Sequence, residues 1–385
     1  MSAQQITQLH ELPAELLAAV LSPTCPNPAI GSSIPDEVWS SINWRSVAAE
    51  SNGHVVGVLV YERLRELGLA ERLPDEVRKA WEADSLHAML QHAIHRQDAL
   101  AMSKTFAQYG IRHAFIKGFA YRDWLYCPSW VRLGGDIDVL IDRHNVELVR
   151  HLMRRADFTQ AAYSEDHQYF RPATPEEIAR VESHHFELGE FTKDHLLINT
   201  PEWLLGPAFV RRSPFAFGYS ADIPLLHSSF DIHWALHFLF VDATPLNYTQ
   251  TVAIGDEESI PVLSTEWNIL YSAFKLYFES FDRPGYGFNH LVDLTALTDG
   301  ARQVDWSVVA ELATRYELEG ALFYTLSAAR RLSGKKCVPT GLLDDWSRIK
   351  AKAITHEAPS RLDFGDFISY LINKRVGSDF PKVNN

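Results

Sequence analysis

The sequence predicts an α+β fold, with a small mixed β-sheet core flanked by N-terminal and C-terminal helical regions. Three observations predict it. Apolar residues recur at helical spacing up to about residue 105, short apolar and alternating runs interleave with helical ones to about 245, and helical spacing returns from about Ser264. The 385 residues exceed one ordinary hydrophobic core, so the chain reads as 1–105 helical, 106–245 an α/β core and 246–385 helical.

The N-terminal helices come first. SIPDEVWSSINWRSVAAE opens with a Ser-Ile-Pro-Asp start signal and continues in helical register. VVGVLVYERLREL resumes after the break at Gly53. Ala83 to Tyr109 places Leu86, Leu90, Ile94 and Leu100 near one face, with Asp84-Ser85 as its expected cap. From Gly110, IRHAFIKG reads as a strand, FAYRDWLY as a helix stopped by Pro128, DIDVLID as a strand of period two and HNVELVRHLMRRAD as a helix. HHFELGEF and IPLLHSSFDIHWAL suit further strands, separated by a loop containing Pro201, Pro207 and Pro214. STEWNILYSAFKLYFESF, NHLVDLTALTD and SVVAELATRYELEGALFYTLSAARRL are helical, with Ser264 or Thr265 capping the first and Glu266 in its first turn.

Composition narrows the function classes. Apolar residues make up 46% and charged residues 22%, an ordinary globular balance. The net charge of −13 argues against DNA or long RNA as a default partner, and tRNA would need a local basic patch. Cys25, Cys127 and Cys337 form no CxxC pair, which fits a reducing cytoplasm. The N-terminus does not read as a signal peptide, and no apolar run is long enough for a membrane span.

The chemistry centres on Gly135-Asp136-Ile137-Asp138-Val139-Leu140-Ile141-Asp142. On a strand, Asp136 and Asp138 project to one side while Ile137, Val139 and Ile141 pack on the other. Two carboxylates at that spacing suit Mg²⁺, a hard cation that prefers oxygen, or Mn²⁺. Such metals neutralise a triphosphate and orient in-line attack on it. Upstream, Phe115-Ile116-Lys117-Gly118 stands at a strand end before a helix, where Gly118 admits a phosphate to backbone N–H groups and Lys117 adds charge.

FIKGFAYRDWLYCPSWVRLGGDIDVLID resembles the signature of the uncharacterised nucleotidyltransferase family within the DNA polymerase β-type superfamily. There a Leu-Lys-Gly turn, an arginine and an Asp-x-Asp strand follow in this order. Ile116 replaces the usual Leu, and Arg132 matches the arginine. The resemblance implies transfer of a nucleoside monophosphate from an NTP to an acceptor hydroxyl or phosphate, with release of pyrophosphate and two metals at Asp136 and Asp138. It also implies a third carboxylate on a neighbouring strand, acting as a metal ligand or general base. Phe230-Asp231-Ile232-His233-Trp234 resembles the family strand and offers Asp231, with His233 on the same face as an outer-shell or substrate group; Glu187 competes for the third place. In the C-terminal helices the family layout implies that Lys275 neutralises triphosphate charge and that Asp293 orients it or binds the base or ribose.

Other readings compete. The histidines lack HExxH or paired-cysteine spacing, so no zinc site is read. His87, His92 and His95 read as structural or exposed, and Tyr271, Phe274, Tyr277, Phe278 and Phe281 as core. The acceptor is expected to be a small molecule or peptide rather than RNA. The alternatives are a catalytically degenerate nucleotide-binding module, a toxin-like enzyme modifying tRNA, and a metal-dependent phosphohydrolase. Replacing Asp136 or Asp138 by Ala is expected to abolish transfer and leave the fold nearly intact.

Overall fold

A computed structural model describes residues 9, 12–24, 26–164, 169–184, 186–198, 217–220, 223–241, 244–255, 257–282, 288–299, 303–333 and 338–346. The loop with Pro201, Pro207 and Pro214 lies outside them. Two units emerge: the described residues of 1–81 with 268–385, and those of 82–267. The boundaries fall inside the helices Asp75–Gln108 and Thr265–Asp282. No helix among the described residues is long and apolar enough to cross a membrane.

The first unit is helical. Its N-terminal part departs from one continuous helix over SIPDEVWSSINWRSVAAE, because the segment divides into Asp36–Ser41 and Trp44–Gly53. Asn43 causes the restart: its side chain accepts from the Ser46 backbone N–H at 3.3 Å. Trp39 and Trp44 then meet with ring centroids 4.4 Å apart. The C-terminal segment expected as one helix also divides, into Trp306–Arg315 and Glu319–Ser333. Glu317 turns left-handed at φ 58°, and the Leu318 N–H returns to the Ala313 carbonyl at 2.8 Å. Ser264 does cap the helix Thr265–Asp282, accepting from the Trp267 N–H at 3.4 Å.

The helix expected from Ala83 begins earlier, at Asp75, directly after Pro74. Asp84 and Ser85 therefore lie in its interior rather than at its start. Its buried face is also more polar than the leucine spacing implies. His87, His92, His95 and Asp98 are buried while Leu86, Leu90 and Ile94 are half-buried. His95 takes a hydrogen bond with the Arg122 guanidinium at 3.3 Å, and His92 lies 3.6 Å from Asp123. Those partners let the helix bury histidine where apolar periodicity alone would put it outside.

The second unit holds a mixed sheet of nine strands among the described residues: β1 His113–Phe115, β2 Ile137–Ile141, β3 Thr159–Ser164, β4 Tyr169–Pro172, β5 Glu187–Leu196, β6 Phe217–Ser220, β7 Ile223–His233, β8 Thr249–Ile254 and β9 Glu258–Leu263. The order is β4-β3-β5-β7-β2-β1-β9-β8, with β6 pairing β7. β7 is the long central strand. One edge pairs antiparallel with β5; the other pairs with β6 near Leu225 and, parallel, with β2 from Phe230 onward. Ile137, Val139, Phe230, Ile232 and Phe191 are fully buried on one face, where Phe158 meets Phe230 edge-on at 5.1 Å. The opposite face carries the polar residues of the same strands.

One irregularity decides which β5 residues reach that polar face. Glu187 pairs with His233 and Glu190 with Asp231, so Leu188 and Gly189 oppose the single residue Ile232. This is a β-bulge, and Gly189 supplies its left-handed backbone at φ 74°. Replacing Gly189 with Val should cost about 1–2 kcal/mol or more. The midpoint of thermal unfolding should fall by several degrees; an unchanged midpoint would show that the bulge does not need the left-handed residue.

Candidate active site

Hydrogen bonding at the strand ends assembles the site. The Ile116 N–H donates to the Asp138 carbonyl at 3.1 Å, extending the β1–β2 pairing by one rung. Lys117 follows with φ 56°, a conformation that costs a non-glycine residue about 1–2 kcal/mol. The kink starts the helix Lys117–Leu125 and turns the ammonium onto the Asp138 carboxylate, to which Nζ donates a short hydrogen bond. Gly118 sits against the Arg132 guanidinium. A Cβ there would lie 3.1 Å from one Nη and 3.3 Å from Cζ, so only glycine fits without displacing the arginine.

β7 supplies the next groups. Its parallel register sets Asp231 directly beside Asp138 and His233 beside Leu140. Asp138, Asp231 and His233 offer ligand atoms that all lie within 4.8 Å of one another. His233 Nε2 is 2.9 Å from Asp138 Oδ1 and 3.3 Å from Lys117 Nζ. Its Nδ1 lies 3.6 Å from Glu187, a residue that therefore faces the histidine rather than Asp138. Asp136 stands just before β2.

Arg122 completes the frame. It is buried and donates to the Gly134 carbonyl at 2.9 Å, fixing the two-glycine turn that leads into Asp136. Burial, and then the Arg132 charge, lower its pKa to about 10, so it stays cationic at neutral pH.

The electrostatics divide the carboxyls. The Asp138 charge, followed by burial, raises Asp136 to about 6. Burial raises Asp231 well above the carboxylate range, and the charges of Asp136, Asp138 and Glu187 add to it. Burial pushes Asp138 upward too, but Lys117 and His233 outweigh it and hold this group below its ordinary value. Burial and the neighbouring Lys117 lower His233, which keeps the imidazole neutral near pH 7. Glu190 is raised to about 7, mainly by burial, against the hydrogen bond donated by Ser229. Five carboxyls thus crowd against Lys117, Arg122 and Arg132, an imbalance that a divalent cation relieves.

Of the residues singled out in the sequence, Lys117, Gly118, Arg132, Asp136, Asp138, Asp231 and His233 all belong to the sheet unit. Lys275 and Asp293 belong to the helical unit, on Thr265–Asp282 and Phe288–Leu297. Lys275 is half-buried, and Asp293 is fully buried, 3.9 Å from His290. Asp138 is only 2% exposed, which corrects the expectation that its loss would spare the fold. Truncation to Ala leaves Lys117 without its carboxylate and costs about 3 kcal/mol. Sequence reasoning missed Arg122, Ser229 and Glu190. Gly189 inside a strand was the available signal for Glu190, since an interior glycine marks a bulge.

The mixed sheet thus carries Asp138 on one strand with Asp136 just before it, Asp231 on the parallel neighbour and a lysine-glycine turn beside them. The chain belongs to the family described as "Uncharacterised nucleotidyltransferase", whose model matches residues 40–334, and nucleotidyl transfer is its general reaction class. Among solved structures it is similar to an antigenic nucleotidyltransferase-like protein from Paracoccidioides brasiliensis, at 13% identity and a TM-score of 0.32, over 59% of this chain and 91% of that one. No curated protein matches the chain.

The raised value of Glu190 has a measurable consequence. Because about 7 in the folded protein exceeds the ordinary 4.5, its contribution to stability is present below about pH 4.5 and is lost as pH rises through about 7. Glu190→Gln removes that ionisation. In EDTA, the variant's melting point should gain on wild type between pH 5 and pH 8. A difference that stays constant with pH would contradict the assignment.

Proposed function

We propose that this chain transfers a nucleoside monophosphate from an NTP to an acceptor hydroxyl or phosphate and releases pyrophosphate. The observation that carries this reading is the register of β2 against β7, which sets Asp231 beside Asp138. The donor set suits a divalent cation. Carboxylate oxygens of Asp138 and Asp231 favour Mg²⁺ or Mn²⁺, and the His233 imidazole of the same group shifts the preference toward Mn²⁺; Asp136, two residues before Asp138, would add a third carboxylate. When bound, the cation supplies charge neutralisation at the triphosphate and polarisation of the α-phosphate.

The chain's own residues do the rest. Lys117 already carries its ammonium to the carboxylates and neutralises triphosphate oxygens from there. Gly118 leaves the first turn of Lys117–Leu125 open, so that its N–H groups and helix dipole receive a phosphate. Arg132, lying against Gly118, adds positive charge on the same side. Arg122 holds the Gly134 carbonyl and thereby the approach to Asp136. The roles of Lys275 and Asp293 rest on the family resemblance alone. Full burial of Asp293 favours orienting over direct contact with a ligand.

The net charge of −13 and the carboxylates Glu187 and Glu190 beside the reacting groups favour a small molecule or peptide as acceptor over an RNA. No DNA or membrane partner is proposed. Cys127 is an exposed cysteine, in keeping with a cytoplasmic setting.

The test combines binding with turnover. Each NTP is added with and without Mg²⁺ or Mn²⁺, and the shift in melting point is compared between wild type and Asp138→Asn, which preserves the side-chain shape. A metal-dependent shift with at least one NTP is expected in wild type and lost in the variant. Pyrophosphate release should fall about 1,000-fold, the effect of losing roughly 4 kcal/mol of transition-state stabilisation. Full activity in Asp138→Asn would sink the assignment.

A further inference from the structure

We propose that Glu190 is a further catalytic residue, the base that takes the proton from the attacking acceptor hydroxyl. The inference rests on the nucleotidyl-transfer reading and assigns a role to a residue outside the Asp136, Asp138 and Asp231 set.

The bulge is the first observation. In a regular strand, residues three apart point to opposite faces, so Glu187 and Glu190 could not both face β7's carboxylate. The extra residue at Leu188-Gly189 restores Glu190 to the face of Asp231, its direct neighbour across the strand pair. Leu188 itself is fully buried. The bulge thus adds a second glutamate to the polar face without exposing an apolar side chain.

The second observation is how the carboxylate is held. Ser229, two residues before Asp231 on the same face of β7, donates its hydroxyl to Glu190 Oε1. A carboxylate that accepts at one oxygen is fixed in orientation and presents the other. Among the described residues nothing donates to Oε2. Glu190 is half-buried, so one edge of it stays reachable.

The third observation is the division of labour among the carboxyls. Asp138 is engaged by Lys117 and His233, and Asp231 shares the ligand group with both Asp138 and His233. Glu187 faces His233 Nδ1 at 3.6 Å. Glu190 stands next to Asp231 but outside that ligand group. A base in that place stands beside the ligand group and need not leave a cation to accept a proton.

The step balances as follows. The acceptor hydroxyl oxygen forms a bond to the α-phosphorus, and the bond from that phosphorus to the oxygen bridging the β-phosphate breaks. Pyrophosphate departs with the bonding electron pair, and the hydroxyl proton passes to Glu190 Oε2.

The experiment uses the full chain, Mn²⁺ and each NTP, with glycerol and water as probe acceptors, and reads pyrophosphate release beside the nucleotide-induced melting shift. Glu190→Gln keeps an acceptor for Ser229 and should retain both the melting shift and the KM for NTP, while kcat falls roughly 100-fold or more. Glu190→Asp should recover part of that loss. A kcat in Glu190→Gln within threefold of wild type overturns the role. Loss of the nucleotide shift in Glu190→Gln also overturns it, since the residue would then hold the ligand rather than the proton. Wild type with neither shift nor release overturns the transfer reading itself, and this role falls with it.

Discussion

Parallel pairing between β2 and β7 is the constraint on which the remaining features depend. The two strands lie far apart in sequence, and their register alone puts Asp138 next to Asp231 and allows the Asp138–His233 hydrogen bond across 95 residues of chain. The same register stacks Ile137 on Phe230 and Val139 on Ile232, all fully buried. A slip of one residue would exchange the two faces, sending the aspartates into the apolar layer. Burial of that layer therefore specifies the carboxylate geometry. Losing one large core side chain such as Phe230 costs about 3–5 kcal/mol, more than a surface charge contributes.

That geometry is electrostatically unfavourable by itself. Asp136 and Asp231 are raised by their neighbours and by burial, while Asp138 stays ionised because Lys117 and His233 attend it. Lys117 attends it from a left-handed backbone, so local strain accompanies the ion pair with Asp138. Arg122 and Arg132 add charge from beneath the two glycine positions, Gly134 and Gly118, where any larger residue would displace a guanidinium. On the proposed function, a cation and a polyphosphate would bind here together, because each compensates the other's charge.

The β5 bulge extends the logic from binding to chemistry. Regular pairing would bring a single glutamate of this segment onto the polar face; the bulge brings two. Glu187 then backs His233, and Glu190 lies beside Asp231 with Ser229 holding one oxygen. On the proposed function, an irregularity of one residue thus separates groups that would hold a cation from a group that would take a proton.

The sequence by itself determined the local facts. Period two put Asp136 with Asp138 and Asp231 with His233, and the lysine-glycine turn marked a strand end before a helix, because side-chain direction within one strand or turn depends only on neighbouring residues. Asn43, Glu317 and the buried histidines of Asp75–Gln108 were less legible, since a cap or a buried imidazole is decided by its partner. The tertiary structure alone decided which strands are neighbours, the register that aligns Asp138 with Asp231, the face on which Glu190 emerges, and the clustering of the described residues of 1–81 with those of 268–346. Those outcomes come from hydrogen bonds and apolar burial between distant segments, and no short stretch of sequence contains both partners.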